Sequence, residues 1–169
     1  MLKRIFQIFF CLLCLSGCGV SNEEPNKTIK SGEADLVGYV VKKKESQILV
    51  VSEFPNAKNK YESVWVSGSN IDDLDIGQKV EVFFDGTIQT SDPGQGTAGE
   101  ITILKIQSPE NTILSPKDAL KKSLLQVENW EVPIVKEFSY HSKDQNWVII
   151  LYDAKNTYNG EKTILIEDK

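Results

Sequence analysis

Cysteine is absent beyond residue 18, histidine occurs once, and no apolar run is long enough to cross a bilayer. Each absence removes a class of chemistry. Without a thiol between Gly19 and Lys169, that stretch holds no disulfide, no cysteine-ligated zinc and no thiol redox centre. His141 alone excludes a histidine metal cluster, and no nucleophile stands at a diagnostic spacing from it, nor is there a Gly-x-Ser-x-Gly elbow. The longest apolar run, Ile5 to Leu15, is interrupted by Gln7; as a helix it measures about 16 Å, roughly half of a bilayer's hydrocarbon core. Basic excess is missing too. With 19 Lys+Arg against 24 Asp+Glu the chain of 169 residues carries a formal charge of −5, which opposes binding to nucleic acid, since neutralising phosphates requires clustered cations.

What is present at the N-terminus is Lys3 and Arg4, the short apolar run, and then Ser16, Gly17 and Cys18. A basic start, a short apolar stretch and small residues at its end make a secretion signal over residues 1–17. Leu15-Ser16-Gly17-Cys18 resembles the lipobox of bacterial lipoproteins at all four positions. The resemblance implies that Cys18 is diacylglycerated and becomes the first residue after cleavage. Two acyl chains give stable anchoring where one gives only marginal binding. Removing Lys3 and Arg4 leaves 17 basic against 24 acidic side chains, a balance of −7, so lipid rather than a polybasic patch is expected to hold the chain to the membrane. The expected location is the cell membrane, on its extracytoplasmic face. Residues 18–33, rich in Ser, Asn, Glu, Lys and Gly, read as a solvated tether that as a flexible coil spans about 20 Å.

From Leu36 onward the pattern turns to short strands separated by polar turns, near Leu36–Lys43, Gln47–Ser52, Tyr61–Ser67, Gln78–Asp85 and Glu100–Gln107. Gly77 falls just ahead of the fourth, where a positive backbone angle is useful. Five short strands in a segment of this length predict a small closed barrel of the OB type over residues 34–108, with an SH3-like barrel as the alternative topology. Four blocks, Val37-Gly38-Tyr39-Val40-Val41, Ser63-Val64-Trp65-Val66, Ile76-Gly77-Gln78-Lys79-Val80 and Pro93-Gly94-Gln95-Gly96, resemble successive motifs of the YobA-like family of small Gram-positive lipoproteins. That family is a domain of unknown function, and the resemblance implies no catalytic residue and no cofactor.

A second unit is expected over residues 115–169. Ser115-Pro116-Lys117-Asp118 carries a cap, a first-turn proline and a capping-box acid, predicting a helix of about 13 residues. Leu120, Leu124 and Val127 share its apolar face; Lys117, Lys121 and Lys122 face water, and Asp118 pairs with Lys122. Strands near Glu131–His141, Asn146–Asp153 and Lys162–Glu167 complete a three-stranded antiparallel meander, in outline similar to small cystatin-like or PepSY-like units. The whole is mainly β, a barrel followed by an α+β unit. Too small to be stable alone, that unit is expected to pack on the barrel, with Trp130 and Trp147 in its core.

Several patterns invite a function. Gly94-Gln95-Gly96-Thr97-Ala98-Gly99 matches the dinucleotide fingerprint in letters, but β-branched residues follow where a helix is required, so a flexible loop is expected. Asp72, Asp73, Asp75 and Asp85 lack the spacing of a calcium loop and read as a solvated turn, and no metal is expected. Lys42-Lys43-Lys44 reads as a polar hairpin turn. Alternation places Tyr61 and Trp65 opposite Val64 and Val66, and Phe83 opposite Val82 and Phe84. If the valines line the barrel, Tyr61, Trp65 and Phe83 form an outward aromatic patch suited to a protein or a glycan. Either the second unit covers that patch, or the faces are inverted, or it is free. The functional expectation is a monomeric, lipid-tethered binding module of the envelope; the alternative is a hydrolase using Asp85 and Glu100 as acid and base.

Overall fold

The computed structural model describes residues 32–156 and 160–169. Cys18, the signal and most of the tether lie outside the described residues. Nine strand residues from Leu36 to Lys44 form β1, followed by β2 (Gln47–Ser52), β3 (Ser63–Ser67), a single 3-10 turn at Ile71–Asp73, β4 (Lys79–Phe84) and β5 (Gly94–Leu104). These close into a barrel in the order β1-β2-β3-β5-β4, with β4 returning to β1. Every pair is antiparallel except β3 with β5. This is the OB-type arrangement, and the parallel pair is where the crossover needed by such a closure falls.

Alternation decides which side chains fill the barrel. Val40, Ile48, Val50, Val64, Val66, Val80 and Val82 point inward and are almost wholly buried, joined by Leu36, Phe84, Ile71 and Leu74. The valine faces therefore line the interior, and Tyr61 and Trp65 look outward. On β1 and β2 the outward residues are also apolar: Tyr39, Val41, Leu49 and Val51 are buried in a second cluster. Strands that are apolar on both faces require cover on both sides.

That cover is the remainder of the chain. After the linker, α1 (Pro116–Leu125) leads to β6 (Pro133–His141), β7 (Asn146–Asp153) and β8 (Glu161–Glu167), an antiparallel sheet in the order β6-β7-β8. Ala119, Leu120 and Leu124 of the helix and Ile134, Trp147, Ile149, Leu151, Ile164 and Ile166 of the sheet join the outward residues of the barrel in one core. Residues Glu33–Lys169 are one compact unit. Phe138 and Tyr140 both sit on Trp147, with ring centroids 5.1 Å away in each case, a spacing suited to attractive ring contacts.

Four local expectations change. The glycine-rich stretch from Gly94 is no loop but the start of β5, hydrogen-bonded alongside β3 from Val64↔Gly94 to Ser67↔Thr97. Its glycines reflect crowding: a Cβ on Gly96 would come within 2.7 Å of the Phe84 ring, and strand glycines often mark such an approach. Second, α1 has 10 residues, ending where the chain turns through Gln126 and Val127 toward Trp130. Its start is as expected, since Ser115 accepts from the Asp118 amide at 3.1 Å and donates to the Asp118 carboxylate at 2.6 Å. Third, Lys117 and Lys121 do not simply face water. Both reach Asp75 in the turn before β4, at 3.3 and 2.8 Å, while Asp118 lies near Lys117 instead of Lys122. Fourth, Lys42–Lys44 are the last residues of β1, and the hairpin turn is left to Glu45 and Ser46.

Candidate functional site

The three lysines that end β1, still paired with β2, reach the segment that follows α1, the 3-10 turn and the ring of Trp65 on β3. The Lys42 ammonium donates to the carbonyl of Glu128 at 3.1 Å, and that of Lys43 to the carbonyls of Asp72 and Leu74 at 2.8 and 2.6 Å. Lys44 lies over the Trp65 ring, 4.0 Å from its centroid, within range of a cation–π attraction. Between these groups is an open groove of about 310 Å³, walled by Trp65, Val41, Ile76, Leu124, Leu125, Val127 and Pro133. Leu125 remains 49% exposed at its mouth. An apolar wall with a few convergent polar groups is the usual composition of a binding site, and this volume sits at the lower end of the about 300–1,000 Å³ such sites occupy.

The aromatic trio divides. Tyr61 and Trp65 are half-buried and pack against the shared core, so the second unit covers part of them, yet Trp65 still lines the groove. Phe83 sits on β4 opposite Glu100 of β5, touches neither core cluster, and is not part of the groove. Sequence alternation had the faces right but could not show where the second unit ends. Leu125 and Pro133 carry no local sequence signal for this role, and Lys44 reads from sequence as part of a polar hairpin turn; the pointer to the groove is a run of three lysines directly after an apolar strand segment.

Other candidates fall elsewhere. Asp85 lines a polar cleft of about 200 Å³ with Gln47, Ser67, Thr87, Gln89, Gln95 and Thr97; Glu100 is not among its walls, so the two carboxylates do not share that cleft. His141 is exposed at the end of β6, opposite Asn146. Among the described residues no group of three His, Cys, Asp or Glu side chains is placed to hold a metal ion, and no helix is long and apolar enough to cross a membrane.

One cluster of charge-assisted contacts, around Asp168, is structural. Asp168 accepts from the amides of Ile113 and Leu114, the latter at 2.7 Å, and from the Tyr140 hydroxyl at 3.2 Å. It thereby ties the chain end to the linker ahead of α1. The Trp147 indole N–H also faces it, outside ordinary hydrogen-bond geometry. Partial desolvation pushes the Asp168 pKa up, but these donors outweigh it and hold the carboxyl below the usual range. A depressed folded pKa means that the stabilisation is complete above the unfolded carboxylate range and disappears as pH falls through the folded value. Wild-type protein is therefore expected to lose more stability than Asp168→Asn between about pH 5 and the acid limit, measured by urea unfolding across pH. Parallel acid profiles for the two proteins would refute it.

Among the described residues, then, the groove is the place where Trp65 and the lysines converge. No curated protein matches the chain, and no solved structure does. A family model described as a protein of unknown function (DUF3221) matches residues 37–105, which takes in the barrel from β1 to β5 and all four sequence blocks noted above.

Proposed function

We propose that this chain is a binding module of the bacterial envelope, of the YobA-like lipoprotein kind, anchored through lipid on Cys18 and engaging its partner at the Trp65 groove. The observation that carries the reading is the groove itself. Trp65 is positioned by β3 and packed against the shared core, remains partly exposed, and lines the groove with the exposed Leu125. Rigid aromatic anchors in pre-formed concavities supply most of the binding energy at interfaces. The OB-type barrel commonly binds through its β2–β3 face; here Leu49 and Val51 of that face are buried against the second unit, and the groove is the part of it left open.

The test uses the full-length protein in its native envelope, with a photo-crosslinking side chain in place of Leu125. A defined adduct is expected from that position, lost when Trp65→Ala is added and absent when the crosslinker replaces Leu165 on the far side of the sheet. The same adduct from both positions, or one indifferent to Trp65, would remove the groove from the proposal. Anchoring is read in parallel: Cys18→Ala should leave an unprocessed or released protein, and normal processing and membrane fractionation of that variant would refute the lipid anchor.

A further inference from the structure

The charge of the groove goes beyond its shape. Lys42, Lys43 and Lys44 all line it, and among the described residues none of the three makes an ion pair with a carboxylate. Two of the ammonium groups are satisfied by backbone carbonyls and the third by the face of an indole. Carbonyl and ring contacts orient a cation without neutralising it. In a chain with a formal charge of −5, other lysines found carboxylates: Lys79 reaches Glu53, Lys121 reaches Asp75 and Lys155 reaches Asp92. The groove carries one acidic side chain, Glu128, against three basic ones. It is a local positive site on a negative molecule, and long-range attraction to it favours an anion.

Resting on the binding-module reading, we propose that the occupant is an acidic peptide segment with an apolar side chain next to its carboxylates. The lysines would take the carboxylates; Trp65, Leu125 and Pro133 would take the apolar side chain. The volume of about 310 Å³ suits a short segment more than a bulky ligand. A nucleic acid is disfavoured because three lysines on an acidic body neutralise few phosphates. An anionic lipid surface is disfavoured because the apolar residues line a concavity between β3 and α1 rather than an open face able to enter a bilayer.

The probe is the blocked peptide acetyl-Glu-Leu-Glu-Phe-amide, with acetyl-Gln-Leu-Gln-Phe-amide as its uncharged counterpart, titrated against residues 18–169 without lipid and followed by the Trp65 indole N–H resonance. Assignment comes from Trp65→Phe. A saturable shift with the acidic peptide is expected, weakened about threefold or more by raising salt well above physiological strength, about tenfold in Lys44→Gln, and retained in Lys44→Arg. Lys44 is chosen because its contact is the face of the Trp65 ring and not a backbone carbonyl, so its loss should lower the melting temperature by no more than a few degrees. Equal binding of the uncharged peptide would overturn the charge inference while leaving the binding module intact. No shift from either peptide, with the Trp65-dependent crosslink still obtained, overturns the acidic class alone; absence of both overturns the two proposals together. Capture by phosphatidylglycerol vesicles, lost in Lys44→Gln while the acidic peptide has no effect, replaces the peptide with a lipid surface.

Discussion

Gly77→Ala should destabilise the protein by about 2–5 kcal/mol, roughly twice or more the cost of Gly86→Ala. The two glycines have nearly the same positive φ, 90° and 85°, so the penalty for placing a Cβ there is taken as common to both, about 1–2 kcal/mol. They differ in what surrounds them. At Gly86 a Cβ meets nothing within 4 Å, whereas at Gly77 it would lie 2.4 Å from the carbonyl oxygen of Lys117 and 3.0 Å from the amide of Lys121. Both atoms are helix backbone, so relief requires α1 to move as a body, an overpacking cost of about 1–3 kcal/mol. The difference between the two variants isolates helix docking from turn strain. Urea unfolding of both measures it, and equal losses would show that α1 does not bear on this turn in solution. The ion pairs of Asp75 with Lys117 and Lys121 mark the same contact, but their side chains are more than a third exposed, and such pairs contribute only about 0–1 kcal/mol each.

That contact also shows where sequence reading ends. The periodicity of β2 and β7 was legible to the residue, because their apolar runs are bounded by polar turns: Gln47–Ser52 and Asn146–Asp153 stand as expected. The Ser115 cap was legible because capping is local chemistry. Gly77 was legible as a turn residue, but not as the seat of α1, since nothing near it in sequence refers to residue 117. The start of β5 at Gly94 is hidden from sequence for a related reason. Glycine and proline announce flexibility locally, and only the Phe84 ring lying against Gly96 explains why glycine belongs in a strand. Likewise the lysine run reads as a solvated turn until α1 and β3 close around it. Local rules reach caps, turns and alternation; long-range packing decides which charged residues share a cavity.

Leu49→Ala carries the second large effect, because Leu49 belongs to two structures at once. It is a barrel residue on β2, paired with Trp65 across β3, and it is fully buried in the core formed with α1, β6, β7 and β8. Truncation there should cost about 2–5 kcal/mol, a fall in melting temperature of about 6–20 °C. The more telling readout is what melts. If the barrel and the sheet were separately stable, the signal of Trp147, buried at 3% exposure in the sheet, would be indifferent to a change on the barrel wall. With one shared core, the Trp147 indole N–H resonance and the far-ultraviolet dichroism from the strands should be lost together in a single transition. Ile103→Ala, on the barrel surface at 50% exposure, should change stability by no more than about 0.5 kcal/mol. Two resolved transitions in the Leu49 variant, with Trp147 melting at the wild-type temperature, would mean that the apolar outer face of β1 and β2 does not bind the sheet strongly enough to unite them. The groove would then lack a fixed wall, for Leu124, Leu125 and Val127 reach Trp65 only while α1 stays seated on that face.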